Sequence, residues 1–265
     1  MTTWLLDPAL LGTLLTAGLL YGLAVGPLRS HLAPGAAFSK QQAALFYGAL
    51  ILIYLAEGSP IHTLAESYLF SAHMLQHLIL SYLVPPLLIW GTPDWLLRHL
   101  LLNRWVRPVA EFFTQPITAL VTFSLFFSLW HLPPFYEGAL QNAGLHHLEH
   151  ILFLLSSILL WWPLMSPLKE LPRLPYGGQL VYLFVLPIAQ VLAFGAITFA
   201  DSVLYPTYAA APRIWIDPLA DQALGGAVMK VSSLFAFGIP FVVIFFRWYQ
   251  SENAPGQRGR TRKAS

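Results

Sequence analysis

The chain contains no cysteine. That excludes disulfides, thiolate metal sites and thiol redox chemistry. Charge is scarce as well: 10% of residues are Asp, Glu, Lys or Arg, against about 25% in soluble domains. No internal repeat is visible, and the opening stretch MTTWLLDPALLG has no basic n-region of a secretory signal. The first helix is therefore expected to be retained.

What fills the 265 residues instead is apolar sequence, 57% of the chain. Several runs approach the ~20 residues that cross a bilayer as a helix. The reading is an all-α polytopic membrane protein, a seven-transmembrane helix bundle. Spans are expected near 10–28, 41–56, 66–90, 112–131, 146–164, 179–200 and 221–247. Residues 1–250 then form one transmembrane domain. Residues 251–265 form a basic, disordered cytoplasmic tail at an anionic inner leaflet. Pro85-Pro86 in the third span is expected to kink it.

Basic residues set the orientation, because cytoplasmic loops are enriched in Lys and Arg. Arg29 and Lys40, then Arg98, Arg104 and Arg107, then Lys169 and Arg173 fall on alternate connections. Arg247, Arg258, Arg260, Arg262 and Lys263 follow the last span, which leaves only Arg213 and Lys230 elsewhere. The N-terminus is expected outside and the C-terminus in the cytoplasm, in a bacterial cytoplasmic (inner) membrane. Of the histidines, His31 and His99 share the basic side. His62, His73, His77, His131, His146, His147 and His150 fall on the outer side, with Glu57, Glu66, Glu137, Glu149, Asp201, Asp217 and Asp221.

His73 and His77 in SAHMLQHLIL are four residues apart, as are His146 and His150 in LHHLEHI. Positions i and i+4 share a helix face. At about 1.5 Å per residue, His77 and His73 stand roughly 20 and 26 Å above the cytoplasmic end of their helix. His150 and His146 stand at the same two heights, and His131 at roughly 22 Å. A lone histidine at a helix end is commonly an interfacial residue, but three helices offering imidazoles at one depth point to a shared metal or haem site. His147 is rotated about 100° from His146, and His62 falls in a loop; both are read as bystanders.

Imidazole suits copper, zinc, iron and nickel, and a thioether from Met74 or Met229 would favour Cu(I). Glu149, Glu137 and Asp221 are candidates to orient the imidazoles, as carboxylates commonly do. Gly225-Gly226 reads as a close helix contact. Lys230, at the depth of the histidines, could bind an anion or carry its charge to the interface.

Five motifs in order, HMLQH, VPPLLIWGTP, WHLPPFYEGAL, HHLEHILFLL with WWP, and DQALGGAVM, resemble the CtaG family of caa(3)-type cytochrome c oxidase assembly factors. These are multi-pass bacterial membrane proteins linked to maturation of the oxidase copper centre. They are distinct from the cysteine-containing, single-span copper chaperone that shares the name. The resemblance implies His73, His77, His131, His146, His150 and Asp221 as functional positions, with copper as the ion. It implies a non-enzymatic metallochaperone whose partner is a cytochrome c oxidase subunit or another copper protein. No nucleic acid is expected, and a homodimer stays open. The alternatives are a membrane di-iron or haem-b oxidoreductase using the same histidines, and a scaffold in which they only hold the bundle.

Overall fold

The structure is a computed structural model and describes residues 4–253. These residues are helical throughout, with no strand among them. In chain order the helices are α1 (Pro8–Val25), α2 (Arg29–Leu32), α3 (Lys40–Glu57), α4 (Pro60–Ser67) and α5 (Phe70–Leu78). A π-helical turn (Ile79–Leu83) joins α5 to α6 (Val84–Gly91). Then come α7 (Asp94–Leu101), α8 (Arg107–Phe113), α9 (Pro116–Trp130), α10 (Pro133–Gln141) and α11 (Ala143–Met165). The last are α12 (Tyr176–Ala189), α13 (Val191–Thr198), α14 (Pro206–Ala210) and α15 (Pro218–Glu252).

Five stretches are long and apolar enough to cross a membrane: α1, α5–α6, α11, α12–α13 and α15. The count reaches seven when two bent pairs, α3 with α4 (43°) and α8 with α9 (79°), are each taken as one span. Both bends have a local cause. Pro60 and Pro116 occupy the first turns of α4 and α9, where a missing N–H costs nothing, and each forbids the preceding helix from running on. Ser59 accepts from the Ile61 N–H at 3.2 Å and closes the start of α4. The expected span over 112–131 therefore begins at Pro116, and the one over 66–90 begins at Phe70. The last helix runs two residues past the expected boundary at 250, to Glu252. Most of the expected tail, with Arg258, Arg260, Arg262 and Lys263, lies outside the described residues.

The proline pair does not make a simple kink. Pro85 has no N–H for the Ser81 carbonyl four residues earlier. The π-helical turn widens the helix there, and the Trp161 indole donates to the Ser81 carbonyl at 2.9 Å. In hydrocarbon such a substitute partner is obligatory. The turn begins two residues after His77, at the floor of the histidine cluster.

The bundle has two chemically distinct ends. At one, the Tyr21 hydroxyl donates to the Gly91 carbonyl at 2.7 Å. Arg98 of α7 pairs with Glu170 of the α11–α12 connection there, which joins two of the basic connections. At the other end, Glu57, the first turns of α5 and α11, and the start of α15 come together. Between them lies an aromatic core in which Phe123, Phe153, Leu160 and Phe237 are fully buried. Leu15, Leu19, Val231, Phe235 and Ile239 point outward, an apolar surface suited to lipid tails.

Helix α5 is pressed onto α15 at Gly225. A methyl group there would meet the Phe70 ring and come within 3.3 Å of Met74 Cγ. Gly225→Val is expected to destabilise the bundle by about 1–3 kcal/mol through overpacking. The midpoint of heat-induced aggregation in detergent should fall. Gly48→Ala, where no atom lies within 4 Å, should leave it unchanged.

Candidate metal centre

Two caps set the rotation of the histidine-bearing helices. The first turn of α5 has no cap of its own. It is taken by the Asp221 carboxylate of α15, which accepts from the Phe70 N–H at 2.6 Å and from the Ser71 hydroxyl. An anion at a helix N-terminus satisfies orphan N–H groups and the helix dipole together. Helix α11 is capped by Asn142, whose Oδ1 accepts from Gly144 N–H at 2.9 Å and Leu145 N–H at 3.1 Å. With both helices fixed, His73 and His77 face His146 and His150 across the bundle.

The imidazoles meet at contact distance. His73 Nε2 lies 2.9 Å from His77 Nε2, and the rings of His146 and His150 have centroids 4.1 Å apart. One donor atom from each of His73, His77, Glu149 and His150 falls within 4.8 Å of the others. Glu66, His73 and His146 make a second such group. His73 and Glu149 are wholly buried, and His77, His146 and His150 are at most 7% exposed.

Two of the histidines are held from behind. His150 Nδ1 stands 2.7 Å from Glu57 Oε2, and His73 Nδ1 stands 3.2 Å from the Tyr208 hydroxyl. A carboxylate can only accept, so His150 carries a proton on Nδ1 and turns Nε2 away from Glu57. The Tyr208 hydroxyl also meets the Ala65 carbonyl at 2.7 Å and the Tyr136 hydroxyl at 3.1 Å. Burial pushes the Tyr208 phenol well above its ordinary value, so it stays neutral and keeps its proton.

The inward atoms lack partners. His150 Nε2, His77 Nδ1 and both carboxylate oxygens of Glu149 make no hydrogen bond. The nearest charged neighbour of Glu149 is His77 Nε2, 3.6 Å away. A buried polar atom left unsatisfied costs about 1–3 kcal/mol, and more when charged. Several such atoms converging on one point fit a cation, and the donor set of three imidazoles and a carboxylate suits a first-row transition metal.

The other expected residues sit around this core. His131 Nδ1 donates to the Phe127 carbonyl at 2.6 Å, which leaves Nε2 as a lone pair 3.4 Å from Met74 Sδ. Two atoms that can only accept thus face each other beside the cluster. The His131 ring centroid is 5.9 Å from that of His77. Met229 is buried in the same apolar cluster as Met74. Asp221 caps α5. Glu137 accepts from the Thr207 N–H at 3.1 Å and the Thr207 hydroxyl at 2.7 Å, and so ties down α14. Lys230 lies 5.9 Å from the centre of the Phe194 ring.

The family model of the cytochrome c oxidase caa3 assembly factor (Caa3_CtaG) matches residues 19–251, a range that holds every residue of the cluster. The chain belongs to this family. An uncharacterized protein of Mycobacterium bovis and one of Mycobacterium tuberculosis are each 26% identical to it over 209 residues, covering 72% of this chain and 32% of the relative. An uncharacterized protein of Mycobacterium leprae is 23% identical over 269 residues, 95% of this chain and 40% of the relative. The chain thus spans about a third to two fifths of the length of these curated relatives. No solved structure matches it.

Within this caa3 assembly-factor fold, Glu57, Glu66, His62 and Tyr208 belong to the site although no spacing in the sequence marks them. His62 is on α4 rather than in a loop, with Nδ1 3.1 Å from Gln76 Nε2 and 4.0 Å from Glu57 Oε2. The signal available was the gathering of acidic residues at the ends of the apolar runs away from the basic connections. Asp221→Ala should cost about 0.5–2 kcal/mol, as loss of a helix cap does. It should lower the thermal midpoint and the metal affinity together, because α5 is free to rotate. Asp217→Ala, which removes only the cap of α15 itself, should lower the midpoint without changing affinity.

Proposed function

We propose that this chain is a seven-span assembly factor that holds copper as cargo at its outer end and supports maturation of an oxidase copper centre. One observation carries the reading: donor atoms of His73, His77, Glu149 and His150 lie within 4.8 Å of one another inside a membrane bundle, and Glu149, His77 Nδ1 and His150 Nε2 have no hydrogen-bond partner. In this reading His73, His77 and His150 are the main ligands, with His146 and His131 beside them. Glu149 supplies the oxygen donor, and Asp221 positions the first histidine pair. Met74 and Met229 lie on the softer side, where the His131–Met74 pair suits Cu(I). The three imidazoles with a carboxylate suit Cu(II). One side of the cluster therefore accommodates the oxidised ion and the other the reduced ion, as a carrier needs.

Orientation follows from charge. The alternation of basic connections supports an outer N-terminus and a cytoplasmic C-terminus, and the Arg98–Glu170 pair ties two of those connections to one end. The cluster then faces the outer side of a bacterial cytoplasmic membrane, where a membrane-bound oxidase subunit could receive the ion. Residues 1–250 act as one domain in this account, and the basic tail lies at the inner leaflet.

A second reading is favoured by the three carboxylates Glu57, Glu66 and Glu149. Mixed carboxylate and imidazole donors suit non-haem iron, so a di-iron oxidoreductase would draw on the same residues, and a haem-b one on two of the imidazoles.

The test is metal analysis of the detergent-purified chain by mass spectrometry. Stoichiometric copper is expected in the wild type, falling at least tenfold in His73→Ala/His77→Ala. Glu57→Gln should weaken retention by about 10–100-fold, as loss of an orienting carboxylate does. Iron in place of copper would overturn the copper reading in favour of the oxidoreductase, and a Soret band would then assign haem.

A further inference from the structure

We propose that the centre is built for two metal ions, the second held by Glu66 and His146 on the α4 side of the cluster. This rests on the reading of the cluster as a metal centre, but not on the identity of the metal.

Two separate donor groups are present, and they overlap only at His73. In the second group Glu66 Oε1 and His146 Nε2 stand 2.8 Å apart, yet neither completes a hydrogen bond. An ordinary ion pair at that distance would align its N–H with the carboxylate. His146 is 95% buried by its 5% exposure, so water does not supply the missing partner freely. His62 has its ring centroid 5.8 Å from that of His146, which places one more imidazole at this edge.

Charge points the same way. Glu57, Glu66 and Glu149 bring three carboxylates to one end of a membrane bundle. All their ion-pair partners are imidazoles. Burying carboxylates without cations is costly. Protein sites that hold two ions place them about 3.5–4 Å apart, bridged or flanked by shared ligands. His73 offers its donor nitrogen to one ion or the other, which leaves Glu66 and His146 as the ligands particular to the second position.

The experiment is a titration of the full chain in detergent, stripped with chelator and then loaded with copper(II) or, separately, zinc(II). Bound metal is counted after gel filtration. The wild type is expected to retain two equivalents, and Glu66→Gln and His146→Ala one each. Glu66→Gln is nearly isosteric, so its elution profile should match the wild type. Saturation at one equivalent, unaffected by Glu66→Gln, would overturn the second position and leave the copper reading standing. Two equivalents of zinc with no copper would support the two-ion centre and overturn the copper reading. Retention of neither metal would overturn both. The wild type loaded with two copper(II) ions supplies a check free of mutation. Spin-coupled ions, with an electron paramagnetic resonance signal well below the copper content, are expected. A signal accounting for all the copper as isolated ions would overturn the proposal.

Discussion

Hydrocarbon solvates no polar group, and this constraint runs through the whole bundle. At two places where the sequence frees backbone groups, another helix answers them. Trp161 supplies the Ser81 carbonyl that Pro85 leaves open, and Asp221 supplies the first N–H groups of α5. These are long-range contacts, joining residues 80 and 151 positions apart in the chain. They lock α5, α11 and α15 in rotation, which fixes where the histidines point. Against that background of satisfied groups, the open atoms of Glu149, His77 and His150 stand out.

The donors grade in character across the cluster. On the α4 side, Glu57 and Glu66 back His150 and His146, and oxygen is plentiful. On the α9 side, His131 and the Met74 thioether face each other with no hydrogen between them. A site that carries copper between partners has to tolerate both oxidation states, and hard and soft donors within one buried volume meet that need. The family to which the chain belongs is that of the cytochrome c oxidase caa3 assembly factor.

The histidine pairs were legible from the sequence because helical periodicity is local: four residues apart means one face, whatever the rest of the chain does. Their carboxylate neighbours were not. Glu57 and Glu66 reach the cluster only because Gly58-Ser59-Pro60 bends the chain by 43° between α3 and α4. No repeat in the sequence encodes which way that bend turns. Asp221 was legible as a supporting residue, but its contact with the α5 N-terminus depends on tertiary packing at Gly225. Hydropathy outlines seven apolar stretches; five are long and apolar enough alone, and the count reaches seven only when α3 with α4 and α8 with α9 are each taken as one span. Pro85-Pro86 announced a break in helical hydrogen bonding. The π-helical turn that accommodates it needs Trp161, a residue on another helix.

The central claim is that the outer-end cluster supplies copper to an oxidase. The most direct measurement is the copper-to-haem ratio of the oxidase purified from cells in which this chain carries His77→Ala/His150→Ala. The account predicts an oxidase with its haem in place and its copper depleted, while the variant chain is present in the membrane at wild-type level. A fully copper-loaded oxidase in those cells would contradict it.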